Sequence, residues 1–74
     1  MNQPMLKAGD ILKALKNHGF TVVRQKGSHI RLRHKDGRHT TLPYHSGQDI
    51  GKGLIRKILR DTELSIDDLL KEQK

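Results

Sequence analysis

Ile30-Arg31-Leu32-Arg33, followed by Asp36-Gly37 and then Arg38-His39-Thr40-Thr41-Leu42-Pro43, decides the fold. The first four residues alternate apolar and charged, the period of a strand with one buried face. Asp-Gly between two such runs is a hairpin signal. Pro43 stops the third run, because proline cannot continue a ladder. Upstream, Thr21-Val22-Val23 is β-branched and strand-like, and Lys26-Gly27-Ser28 reads as the turn into the alternating strand. The stretch therefore predicts a three-stranded antiparallel meander.

Helices flank it. Ala8, Ile11, Leu12 and Leu15 recur at helical spacing with Lys7, Lys13 and Lys16 largely between them. Asn17-His18-Gly19 ends that helix, with Gly19 placed for a left-handed cap. Tyr44 to Gly53 reads as a loop with three glycines. Leu54, Ile55, Ile58 and Leu59 then make one face of a second helix. Ser65-Ile66-Asp67-Asp68 matches a capping box and opens a short helix with Leu69 and Leu70. The order is α-β-β-β-α plus a short C-terminal helix: an α+β domain with helices on one face of the sheet, occupying residues 1–74 as a single unit.

Composition narrows the partner. Lys plus Arg number 15 against 8 Asp plus Glu, for a net charge of +7. Residues 1–60 hold 13 basic and 3 acidic side chains, and residues 61–74 hold 2 and 5. A basic body of this kind points to a polyanion, nucleic acid before a membrane surface, since no amphipathic helix carries Trp or Phe. The acidic end reads as a solvated helix. The chain has no cysteine, which removes disulfides and thiolate metal sites and fits a reducing compartment. Met1-Asn2-Gln3-Pro4-Met5 lacks the form of a signal peptide, and no apolar run is long enough to span a bilayer, so a cytoplasmic protein is expected.

Strand alternation selects the candidate residues. If Ile30 and Leu32 face the core, then His29, Arg31 and Arg33 share the solvated face. Guanidinium groups hold phosphates, imidazole can exchange a proton near neutral pH, and RNA supplies its own 2′-hydroxyl nucleophile. Gly27 lets a ligand approach the backbone, and Ser28 offers a hydroxyl. The plainer alternative for His29 is an exposed histidine that happens to precede a strand. His29, His34 and His39 lie five residues apart, a spacing that does not converge simply, and no zinc motif is present, so no metal site is expected. His34 falls on the core side. Gly51-Lys52-Gly53 precedes the second helix and suits either a phosphate site or a flexible loop. Tyr44, one of two aromatics, could stack on a base but more readily caps the core. Asp10, Asp36 and Asp49 stand singly, as helix-start, turn and loop residues.

Lys26-Gly27-Ser28-His29, Arg33-His34-Lys35-Asp36-Gly37-Arg38, Thr41-Leu42-Pro43-Tyr44-His45 and Ile50-Gly51-Lys52-Gly53-Leu54-Ile55-Arg56-Lys57-Ile58-Leu59, in this order, resemble the HicA (YcfA-like) toxin family. The resemblance runs from about Lys7 to Leu70. It implies an mRNA interferase of a type II toxin–antitoxin system with a double-stranded-RNA-binding-domain-like fold. It implies a single catalytic histidine, His29 here, no cofactor, and a HicB antitoxin that covers that histidine. On this reading Lys26, Arg31, Arg33 and Lys52 hold phosphate while Gly27 and Ser28 shape the approach. A non-catalytic RNA-binding module of the same fold is the alternative, and an interaction protein with an acidic partner a third. One departure falls at Asp61-Thr62-Glu63, where the family often has a glycine after the second helix; it bears on that turn and not on the active site.

Overall fold

The computed structural model describes residues 6–45 and 49–71. Residues 1–5, 46–48 in the loop after Tyr44, and 72–74 lie outside them. The elements are β1 (Leu6–Lys7), α1 (Ala8–Asn17), β2 (Phe20–Lys26), β3 (His29–His34), β4 (His39–Pro43), β5 (Asp49–Ile50), α2 (Lys52–Thr62) and α3 (Ile66–Leu70). β2, β3 and β4 form the expected antiparallel meander, β3 in the centre. The architecture is α+β and consistent with a double-stranded-RNA-binding-domain-like fold.

One face of the sheet is closed. Ile30 and Leu32 of β3 and Leu42 of β4 are buried with Ile11, Ala14 and Leu15 of α1, Ile55 and Ile58 of α2, and Leu69 of α3. The apolar stripes read from the sequence are thus the stripes that meet. Removing them from water is the main driving force for a chain this short. The β4 hydroxyl of Thr40 is buried beside them and donates to Asp61 Oδ2 at 3.0 Å. Asp61 also accepts from Lys57 Nζ at 2.9 Å. Partial burial alone would raise the Asp61 pKa, but the bonds from Lys57 and Thr40 outweigh it and leave the carboxyl below its ordinary value. Asp61 therefore couples α2 to β4 and is not part of a solvated acidic tail.

Two corrections apply to the sequence reading. The loop from Tyr44 to Gly53 is interrupted by β5, which pairs antiparallel with β1 through Leu6↔Ile50 and Lys7↔Asp49. Leu6 and Ile50 are both buried, and Lys7 Nζ reaches Asp49 Oδ1 at 3.3 Å. This ribbon places the start of α1 beside the start of α2. The strand read as Thr21–Val23 is also longer, running from Phe20 to Lys26, and it contains a bulge at Val23.

The chain reversals carry sharp requirements. Gly19, after α1, has φ +92°, and a Cβ there would lie 2.8 Å from His34 Nε2. His34 is half-buried against the Phe20 ring and has little room to retreat. Gly19→Ala therefore combines backbone strain with a clash, and urea denaturation should show a loss of about 2–4 kcal/mol. A loss below about 1 kcal/mol would show that the turn relaxes. Glu63, directly after α2, is the converse case. It takes the left-handed conformation (φ 59°, ψ 29°) at the place where the family often has glycine. Its side chain is exposed, so Glu63→Gly removes strain without removing packing. A gain of about 0.5–1 kcal/mol is expected, seen as a melting temperature raised by about 2–6 °C. An unchanged or lowered melting temperature would mean that the strain is offset locally.

Candidate nucleic-acid interface

The open face of the sheet is built from three cross-strand rungs. Register places Lys26, His29 and Pro43 on the first, Arg24, Arg31 and Thr41 on the second, and Thr21, Arg33 and His39 on the third. His29, Arg31, Arg33 and His39 are exposed, whereas Ile30, Leu32, Thr40 and Leu42 between them are buried. The strict alternation of β3 thus does what its sequence implied, and His29, Arg31 and Arg33 stand in one row.

The bulge completes the face. Uninterrupted alternation in β2 would send Thr21, Val23 and Gln25 outward and turn Arg24 and Lys26 toward the helices. Val22 pairs with Leu32, but Arg24 pairs with Arg31, so Val23 is the extra residue. A bulge shifts the alternation by one and re-aims every side chain after it. Arg24 and Lys26 then join His29 and Arg31. Val23 is left 54% exposed on the same side, and Val22 is 41% exposed at the uncovered edge of β2.

Two connected hollows lie on this surface. One of about 570 Å³ is lined by Val23, Arg24, Arg31, Arg33, Gly37 and His39. The other, of about 370 Å³, is lined by Arg24, Lys26, His29, Arg31 and Thr41. No lining residue is acidic. Among the described residues the ion pairs use Lys7, Arg38 and Lys57, and none involves Arg24, Lys26, Arg31 or Arg33. Two like charges set directly opposite, as Arg24 and Arg31 are, destabilise a sheet. Their retention without a carboxylate is the arrangement that an anion would neutralise.

The turn before His29 is held in place. Gly27 has φ +57°, and nothing lies within 4 Å of where a Cβ would point. The Ser28 carbonyl accepts the Tyr44 N–H at 2.6 Å, which ties the β2–β3 turn to the end of β4. His29 therefore starts its strand on a fixed support. Tyr44 itself packs half-buried against the core and lines a separate hollow with Gly9, Leu12, Lys13, Lys16 and Asn17. It caps the core, as favoured from the sequence, and does not reach the basic face. Lys52 is exposed at the start of α2 and lines neither basic hollow. A smaller hollow lined by Pro43, His45, Asp49, Ile50, Gly51 and Leu54 separates the end of β4 from that helix start.

The opposite hairpin is structural. His34 Nδ1 accepts the Asp36 N–H at 3.1 Å, and its ring meets Phe20 edge-on at 5.1 Å. Arg38 sits 5.2 Å over the same Phe20 ring, bonds Asp36 at 2.8 Å, and donates to the Thr62 carbonyl at the end of α2. The Arg38 backbone N–H, with its guanidinium adding to the effect, holds the Asp36 carboxyl below its ordinary pKa. Arg38 is thus a clamp and not part of the basic face. Among the described residues no three His, Asp or Glu side chains converge, and no helix is long and apolar enough to cross a membrane.

Arg24, His39 and Thr41 belong to the face but were not singled out from the sequence. Arg24 depends on a bulge that no residue pattern marks. His39 was legible in principle, because the Asp36-Gly37 hairpin fixes its register against Arg33. No curated protein matches the chain. A family model described as "HicA toxin of bacterial toxin-antitoxin" matches residues 8–64, which take in α1, the whole sheet and α2. The chain belongs to the HicA family, the toxins of bacterial toxin–antitoxin systems.

Proposed function

We propose that the protein is an mRNA interferase, a cytoplasmic endoribonuclease that cleaves RNA on the open face of its sheet with His29 as the catalytic residue. The observation that carries this reading is the position of His29: exposed, on a supported turn, and flanked by Lys26 and Arg31 with no carboxylate nearby. In this mechanism the 2′-hydroxyl attacks the adjacent phosphorus while the bond to the 5′-oxygen breaks. His29 moves a proton on or off the reacting oxygens. The products are a 2′,3′-cyclic phosphate and a 5′-hydroxyl. The nucleophile belongs to the substrate, so the reaction calls for no metal.

Lys26, Arg31 and Arg33 hold the phosphates and stabilise the charge that grows on phosphorus. Gly27 and Ser28 keep the approach open and fix the strand start. Lys52, beyond the His29 end of the sheet, takes the RNA where it leaves the face. A toxin of this class has an antitoxin partner; we assign it as a HicB-type protein that silences the enzyme by covering His29.

The test is incubation of the purified protein with labelled RNA in the presence of EDTA, wild type against His29→Ala. New ends from the wild type alone are expected. Binding that weakens steeply with salt but yields no ends would instead make the protein an RNA-binding module.

A further inference from the structure

We propose that this face accepts a single RNA strand running along β3, with three consecutive phosphates on the three rungs, and that Arg24 and His39 are phosphate-holding residues of that track. The inference rests on the reading of the open face as the RNA site and extends it from one histidine to a footprint.

Spacing is the first argument. Same-face residues of a strand recur about every 7 Å, close to the separation of adjacent phosphates along an extended RNA strand. His29, Arg31 and Arg33 therefore stand in step with a phosphate backbone laid over them. Each rung also widens the grip. Arg24 stands directly opposite Arg31, and His39 directly opposite Arg33. Arg24 and Arg31 line both hollows, so the two form one continuous channel from His29 to His39.

The bulge is the second argument. Its effect is to bring one more guanidinium to the middle rung, against the like-charge repulsion of Arg31. A phosphate seated between the two removes that repulsion. The third argument concerns the strandedness of the ligand. Three strands span about 10 Å across, the width of one nucleotide strand and less than that of a duplex. Attack by the 2′-hydroxyl also needs an in-line geometry that the regular A-form helix does not offer. The two aromatics, Phe20 and Tyr44, are both taken up by the core, so the grip is on phosphate and sugar and tolerates many sequences.

The experiment is a neutral-phosphate scan. A hexaribonucleotide with 2′-deoxyribose at the cut position, which blocks cleavage, carries one methylphosphonate at each linkage in turn, and binding is read by fluorescence anisotropy. With the wild type, three consecutive positions should each cost on the order of tenfold in affinity. Arg24→Ala should reduce the penalty at the middle position only, to about two- to threefold because Arg31 remains there, and His39→Ala should reduce it likewise at one end. Both side chains are exposed, so the variants keep the fold, which circular dichroism checks. Penalties spread evenly over the oligonucleotide, or unaltered in both variants, would overturn the track. So would a blunt duplex that binds as tightly as the single strand. The all-ribose hexamer separates this from the nuclease reading: if it is never cut, the cleavage assignment fails while the scan still decides the track.

Discussion

His29→Ala should lower RNA cleavage by about 10²–10⁴-fold, the usual worth of a positioned proton-transfer group, and leave the protein folded. The histidine side chain is exposed and lies outside the buried core of the described residues, so its truncation should change stability by no more than about 0.5 kcal/mol. The pattern of kinetic loss is as informative as its size. On the proposed mechanism the substitution should depress kcat with little change in KM, because binding would be left to Lys26, Arg31 and Arg33. Arg31→Ala should do the reverse in part, raising KM as well, since on the same proposal that guanidinium would meet the phosphate in the ground state too. Expression of His29→Ala without antitoxin should no longer arrest growth. A folded His29→Ala protein that cuts RNA at the wild-type rate would remove the assignment, whatever it does in cells.

The open face of the sheet was legible where period alone sets direction. Ile30-Arg31-Leu32-Arg33 can be read only one way once a core exists, and His29, Arg31 and Arg33 lie where that reading put them. It failed where direction depends on an irregularity. Val22-Val23-Arg24 reads as ordinary strand, and nothing in it announces that Val23 will be skipped. The outcome is decided by tertiary context: Phe20 must enter the core at one end of β2, and Lys26 must meet His29 at the other. Seven residues of β2 face six of β3, and the surplus residue is expelled where neither valine is needed in the core.

Charge misled in a different way. Arg38 counts toward the basic total, yet its guanidinium is committed to Asp36, Phe20 and the Thr62 carbonyl. Composition cannot separate cations that face a ligand from those that close a hairpin, because both are long, polar and near the surface. The β1–β5 ribbon escaped for want of length. Two residues per strand carry no periodicity, and pairing across more than forty positions leaves no local trace. Glu63 shows the same limit, since a glutamate in a left-handed turn is held there by the packing of α2 and α3 on either side.

Phe20→Ala should be the most damaging single substitution to the fold, costing about 3–5 kcal/mol. Phe20 is 1% exposed, the first of the large buried side chains, and its ring is the shared partner of His34 and Arg38. Its loss leaves a cavity beneath the β3–β4 hairpin and strips the face on which two polar side chains are seated. Small domains have total stabilities near the lower end of about 5–15 kcal/mol, so the variant should unfold measurably at room temperature in dilute urea. Arg38→Ala should cost less, about 1–3 kcal/mol, through the Thr62 carbonyl left without its donor. It should cost less again when Phe20 is already alanine, by roughly the 0.5–1 kcal/mol of an exposed cation–π contact. A Phe20→Ala protein within about 1 kcal/mol of wild type would mean that the hairpin repacks around the gap. The two alanine variants, at His29 and at Phe20, should both abolish growth arrest, but for separable reasons. Antitoxin binds the folded state and draws unfolded chains back by mass action. Co-expression should therefore restore the abundance of Phe20→Ala, whereas His29→Ala should be abundant without it.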